Sequence, residues 1–225
     1  MHALKYLFVG TFLATSAQHL AADEYSKSKV DARAVIERWQ RVAVDVKSRQ
    51  ATTSDLAQRL VVAAQQDVAS KAMAAALVGS PWAQLKDQEK ADLSQLVGKL
   101  FARFIARALR GPMEPSGAIS DTQLKHFLSK GVFTPVHAAC VELFAINCWG
   151  FNAATLWKPS SGTSVAIDYL VLVSDNDDKW YIVDAKVNGI GFLEMYRFQF
   201  KQTFEGGGIA NLLIELNRAL ARPLE

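Results

Sequence analysis

The sequence predicts a single α+β domain, with an N-terminal helical layer packed on a small antiparallel sheet of about four strands, followed by C-terminal helices. Apolar residues recur at helical spacing through the first half of the chain. β-branched and aromatic runs, separated by turn residues, take over between Val136 and Asn188. The helical period returns from Phe192. With 225 residues, 50% of them hydrophobic, the chain is sized for one core.

From Val30, the stripe Val35, Trp39, Val42 and Val46 marks a first amphipathic helix. Thr53-Ser54-Asp55 offers a capping group for a second, through Leu56, Leu60 and Ala64. Asp67 is placed to cap a third, through Met73 and Leu77, which Gly79 and Pro81 would stop. The clearest helix starts near Asp87, with Leu93, Leu96, Leu100, Phe104 and Ala108 on one face and Val97, Phe101 and Ile105 widening it.

Gly111–Ser120 reads as a loop, and Asp121–Ser129 as a short helix. Strands are expected at Val136–Glu142, Phe151–Trp157, Ser164–Ser174 and Lys179–Asn188, the last two joined by the turn Asp175-Asn176-Asp177-Asp178. Helices follow at Phe192–Phe204 and Ile209–Ala221. The Gly206-Gly207-Gly208 run between them lacks the Gly-Lys-Ser/Thr that completes a phosphate loop. The strand Ser164–Ser174 carries Val165, Ile167, Tyr169, Val171 and Val173 on one face and Ala166, Leu170 and Leu172 on the other. A half-solvated strand alternates apolar with polar, so both faces of this one should be covered.

The first 22 residues read as a secretory signal: Lys5 in a short n-region, the apolar run Tyr6–Ala14, then small residues up to Ala22. Cleavage near Ala22 would leave a mature domain over residues 23–225, exported to the periplasm. The formal charge is +3, and removing Lys5 leaves +2, with cations and anions interleaved. That lacks the basic patch nucleic acid requires. Cys140 and Cys148 would need a turn between them to be bridged, and are read as buried thiols. No Cys or His pair stands at metal spacing, and neither metal nor cofactor is expected.

The C-terminal half carries Val165-Ala-Ile-Asp-Tyr169, Lys179-Trp-Tyr-Ile-Val-Asp184, Gly189-Ile190, Tyr196-Arg-Phe-Gln-Phe200 and Gly207-Gly-Ile-Ala-Asn-Leu212. Upstream stand Leu77-Val-Gly-Ser-Pro-Trp82 and Gln88-Glu89-Lys90. In order and spacing these resemble the MlaC family of periplasmic lipid-binding auxiliary proteins of ABC transport, also called toluene-tolerance proteins. Gly191 stands where the family usually has Ser. The resemblance implies a deep apolar pocket between helices and a curved sheet, and a carrier that shuttles a lipid between inner- and outer-membrane components by transient docking. The lipid would be a phospholipid or a hopanoid- or sterol-type molecule, and the carrier a monomer. Sheltering a chain of about sixteen carbons at ~0.8 kcal/mol per methylene requires such a cavity.

Alternation and resemblance together nominate Ile167, Tyr169, Ile182, Ile190, Phe192, Tyr196 and Phe200 as pocket lining. Arg197 can reach an anionic head group, or can pair with a carboxylate such as Asp184 and lock its helix to the sheet. The second role is the one expected. Trp180 and Asp184, at even spacing, are expected on one strand face. The rival class is an enzyme using Asp168 or Asp184 as a general base in an apolar pocket. The sequence holds no Gly-x-Ser-x-Gly and no His beside a nucleophile motif, so no catalytic residue is assigned.

Overall fold

A computed structural model describes residues 27–46, 52–110, 113–115, 124–128, 149–159, 163–174 and 177–224. Helix α1 (residues 27–46) buries Val35, Trp39 and Val46 of the expected stripe together with Ile36 and Ala43, while Val42 is only partly buried. Helix α2 (Thr53–Asp67) begins with a reciprocal cap one residue before the segment proposed for it. The Asp55 amide donates to Thr52 Oγ1 at 3.1 Å, and the Thr52 amide donates to the Asp55 carboxylate at 2.9 Å.

Asp67 does not cap the next helix. It ends α2, is buried, and accepts from Arg38 Nη2 of α1 at 2.8 Å. Helix α3 (Ser70–Val78) starts without any side-chain cap and buries seven consecutive residues, Ala72 to Val78. A helix buried on every side takes its stability from packing, so it dispenses with caps. Gly79, at φ 73°, ends it ahead of the 3₁₀ turn Ser80–Gln84. Helix α4 (Asp87–Ala108) presents Leu93, Leu96, Val97, Leu100, Phe101 and Ile105 to the core. At Gly98 it runs so close to α3 that a Cβ would stand 2.6 Å from Ser70 Oγ.

The sheet consists of β1 (Met113–Pro115), β2 (Leu124–Leu128), β3 (Trp149–Pro159), β4 (Val165–Val173), β5 (Trp180–Val187) and β6 (Ile190–Gly191). All its strand pairings are antiparallel. β1 and β2 occupy successive stretches of one edge of β3, β4 and β5 follow, and β6 is a two-residue stub on β5. Helix α5 (Phe192–Glu205) and helix α6 (Gly208–Ala221) complete the chain.

The helix expected over Asp121–Ser129 is instead strand β2, laddered along Trp149–Ala153 of β3. Local helical propensity is a weak prior, and a five-rung ladder to a distant segment overrides it. The strand expected at Val136–Glu142, with Cys140 and Cys148, lies outside the described residues. In β4, Tyr169, Leu170, Val171 and Leu172 are all buried, so both faces are covered there as its composition demanded.

A bulge corrects the expectation for Trp180 and Asp184. Leu170 pairs with Asp184, while the next residue, Val171, pairs with Ile182, leaving Val183 as the extra residue of β5. Val173 pairs with Trp180. Cross-strand partners share a face, so Trp180 and Ile182 side with the odd residues of β4 and Asp184 with the even ones. The extra residue inverts the alternation between the two ends of β5. The core is continuous from α1 through the sheet to α6. Among the described residues no helix is long and apolar enough to cross a membrane.

Candidate functional site

The odd residues of β4 look onto the helical layer. Tyr169 is fully buried there, with the Trp39 indole of α1 beside its phenol, and burial pushes that phenol well above its ordinary pKa. From Trp39 a row of rings crosses the interior: Trp39 to Phe101 at 5.9 Å, Phe101 to Phe192 at 5.2 Å, Phe192 to Tyr196 at 4.9 Å and Tyr196 to Phe200 at 6.4 Å. Phe104 joins at Phe192, 5.6 Å away. The spacings of α4 and α5 make this row: residues three and four apart stack along one helix face, and each helix offers such a face to the other.

The row changes character at Tyr196. Arg103 and Arg107, one turn apart on α4, both act electrostatically on its phenol. Burial outweighs them and raises its pKa. Arg103 donates to the carbonyl of Leu220 at 2.7 Å and to that of Arg222, fastening the end of α6 to α4. Arg107 is exposed and has no ion pair to another described residue. The arrangement is therefore an apolar aromatic interior with a cationic rim, which suits an apolar chain ending in a negative group.

Of the residues nominated from sequence, Ile167, Tyr169, Ile182, Phe192 and Phe200 are buried in the core, and Tyr196 is half-buried at the rim. Ile190 is a correction: it is 59% exposed. It sits in the edge stub β6 after a turn in which Asn188 and Gly189 take φ 49° and 86°, and its neighbour Gly191 occupies the inward position.

Arg197 is exposed on α5 and makes no ion pair to another described residue. The lock expected between it and Asp184 is replaced by another. Asp184 Oδ1 accepts from the Leu193 amide at 3.2 Å and the Ala185 amide at 2.9 Å. Leu193 is in the first turn of α5, whose N-cap, Gly191, offers no side chain. The strand carboxylate thus serves as the helix cap. Burial pushes its pKa up to about 6, against the pull of the amides and Lys186. A carboxylate bonded this way joins α5 to β5, a structural role. Asp168 is half-buried, across from Lys186 in the ladder. Among the described residues no group of His, Cys, Asp and Glu is arranged to hold a metal.

Sequence reasoning missed Trp39, Phe101, Phe104, Arg103 and Arg107 as parts of this site. The signal available was the pair Arg103 and Arg107 at i, i+4 on a helix whose apolar stripe was otherwise plain. Among the described residues, two open grooves lie elsewhere. One, of about 560 Å³, runs between α1 and α2 along Val42, Val46, Arg59 and Val62. The other, of about 360 Å³, lies among α2, α3 and α4 beside Val61, Ser70, Gln95 and Gly98. Neither touches the nominated residues.

Comparison with known proteins gives two positive findings. Residues 153–218 match the family described as MlaC protein. The fold matches that of a phospholipid-binding protein from Ralstonia solanacearum, solved in complex with a phospholipid, at a TM-score of 0.54 and 19% identity, over 85% of this chain and 99% of that one. No curated protein matches the chain. The matched stretch runs from β3 to α6 and so contains every residue nominated from sequence. The resemblance read there holds: residues 153–218 carry the sequence pattern of the MlaC family.

Proposed function

We propose that this protein is a lipid carrier. It binds one lipid with the apolar part against the helix-facing side of the sheet and the polar part at the rim near Tyr196, Arg103 and Arg107. The observation that carries this reading is the match of residues 153–218 to the MlaC family, since those residues supply one wall of the aromatic interior. The phospholipid bound by the Ralstonia relative supports a phospholipid as cargo here. A hopanoid- or sterol-type lipid is the other candidate. Ile167, Tyr169, Ile182, Phe192, Tyr196 and Phe200 are the proposed lining, and exposed Arg197 remains available to a head group.

The cost of moving a lipid through water is that of its methylenes, ~0.8 kcal/mol each. A carrier therefore needs an apolar interior and no chemistry. The proposed setting is the periplasm after removal of residues 1–22, with transient docking to membrane-bound donor and acceptor components and the carrier monomeric.

Native mass spectrometry of the full chain after export, followed by lipid extraction, tests this. One lipid per monomer, lost on organic extraction without loss of fold, is the expected outcome. Protein that stays lipid-free when incubated with vesicles would sink the proposal.

A further inference from the structure

The ends of α4 and α6 meet at the rim of the aromatic interior. Arg103 and Arg107 stand one turn apart on α4, Arg110 lies two residues beyond its end, and Arg222 follows the end of α6. Arg103 joins the two ends by donating to the carbonyls of Leu220 and Arg222, so the four arginines belong to one corner of the molecule. Arg107, Arg110 and Arg222 are exposed. None of the four has an ion pair to another described residue.

Burial, and after it the charge of Arg107, hold Arg103 below its ordinary pKa, opposed by the Tyr196 phenol and by no carboxylate among the described residues. The acidic residues of α4, Asp87, Glu89 and Asp92, lie toward its other end. Eleven residues from Asp92 to Arg103 are about 16 Å of helix, roughly two Debye lengths at physiological salt. On α6, Glu215 is paired with Arg218. A helix C-terminus carries about half a negative charge, which accounts for one cation beside it. Two such ends supply about one unit against four guanidinium groups, so a positive surplus is left at the rim.

That surplus distinguishes head groups. A zwitterionic head group holds an ammonium within a few bonds of its phosphate. At this rim the ammonium would enter a cationic corner with no carboxylate to receive it, and like charges brought together are costly. A head group that is anionic throughout gains the charge-assisted bonds without that penalty.

We propose that this rim selects lipids of net negative charge, with Arg107 contacting the head group and Arg103 positioning the end of α6, and Arg222 with it, alongside. The inference rests on the carrier reading and narrows its cargo to phospholipids whose head group carries no amine. Inorganic phosphate presents the same anionic oxygens, so the test separates a lipid from a soluble ion.

Delipidated full chain is incubated with vesicles of dioleoyl phosphatidylglycerol and dioleoyl phosphatidylethanolamine in equal amounts, and the bound lipid is identified by native mass spectrometry. The two lipids share their tails and are drawn from one surface, so attraction of the protein to the vesicle favours neither. Their phosphate contact also cancels in the ratio, which therefore reads the field on the rest of the head group. The wild type should carry phosphatidylglycerol over phosphatidylethanolamine by about tenfold. Arg107→Gln should lower that ratio about threefold, a figure scaled to an exposed charge, and Arg222→Gln should lower it in the same direction. Arg59→Gln removes the same charge from the groove between α1 and α2 and should leave the ratio unchanged.

A wild-type preference that survives both rim substitutions overturns the inference. An equal fall in Arg59→Gln assigns the preference to overall charge and overturns it as well. A wild-type ratio near one overturns it and leaves the carrier reading standing, since lipid has bound. If calorimetric titration then shows inorganic phosphate binding that Arg107→Gln weakens, the corner belongs to a soluble anion. If neither lipid binds the wild type, the carrier reading falls and this inference with it.

Discussion

Two buried aspartates stand on either side of one joint and are satisfied in opposite ways. Asp67 closes α2, and Asp184 sits in β5. Between them Val68 bridges Ile182, and the Ala69 amide donates to the Ile182 carbonyl at 2.9 Å. Asp67 has a cation: its side chain is 7% exposed and that of Arg38 is 47% exposed. Asp184 has backbone amides of α5 and of its own strand. The first ties two helices through a charge pair open to solvent on one side. The second ties a helix to the sheet by a carboxylate that burial works to neutralise. The contrast shows that a buried carboxylate fixes the need for a partner and not its kind, and it makes the two joints respond differently to mutation and to pH.

The largest effect is expected at the cationic joint. Arg38→Ala strands Asp67, an ionised group among apolar neighbours, and should cost roughly 2–3 kcal/mol. That is below the usual figure for a fully buried pair, because Arg38 is half in water. Urea unfolding at neutral pH measures it. A loss under half a kcal/mol would mean that Asp67 is hydrated without Arg38, and the comparison would collapse.

The joint at Asp184 should show itself through pH. Its pKa is raised from 3.8 to about 6 in the folded chain, so between those values the native state holds a proton the unfolded chain has released. Stability from this group is therefore greatest below about pH 4 and declines as pH rises through 6, by about 2–3 kcal/mol in all. Asp184→Asn keeps an acceptor for the Leu193 amide and removes the titration. The stability of the wild type minus that of this variant should fall by that amount between pH 4 and pH 7. A difference that stays flat across the range would show that Asp184 is ionised without penalty.

These two residues also mark how far the sequence was legible. Their elements were readable: the stripe of α1, the long face of α4, the β4–β5 hairpin and both C-terminal helices follow from spacings of two, three and four residues. Asp67 before Met73 looked like a cap because local reading weighs nearby groups, and Asp184 looked like a partner for Arg197 because sequence reading matches side-chain charges and does not see backbone amides. The actual partners lie 29 residues away at Arg38 and nine residues away at Leu193. The same limit hid strand β2, whose ladder to β3 is not local. It also hid the bulge at Val183, which inverts the face of Asp184 without leaving a mark in the alternation of apolar residues. The interior of the candidate site was half visible. Tyr169, Phe192 and Phe200 follow from alternation and resemblance, whereas Trp39 and Phe101 read only as helix core until the packing of α1 and α4 against α5 is known.

The smallest effect sharpens the comparison most directly. Gly191 is the N-cap of α5, extended at φ −76° and ψ 142°, a conformation any residue adopts. A Cβ there would meet Asp184 Oδ2 at 3.4 Å and Glu194 Cβ at 3.6 Å, close but tolerable. Gly191→Ser places a hydroxyl where it can accept from the amide of Glu194 or Leu193, and a Ser cap exceeds Gly by a few tenths of a kcal/mol. In the wild type, where Asp184 already holds the Leu193 amide, the gain should stay within that range, about 1 °C in melting temperature. In an Asp184→Ala background those amides lose their acceptor, and the same serine should recover more, about 1 kcal/mol. A double-mutant cycle reads the difference as a coupling between positions 184 and 191. Equal gains in both backgrounds would mean that the Asp184 carboxylate does not cap α5, and the contrast with Asp67 would have to rest on burial alone.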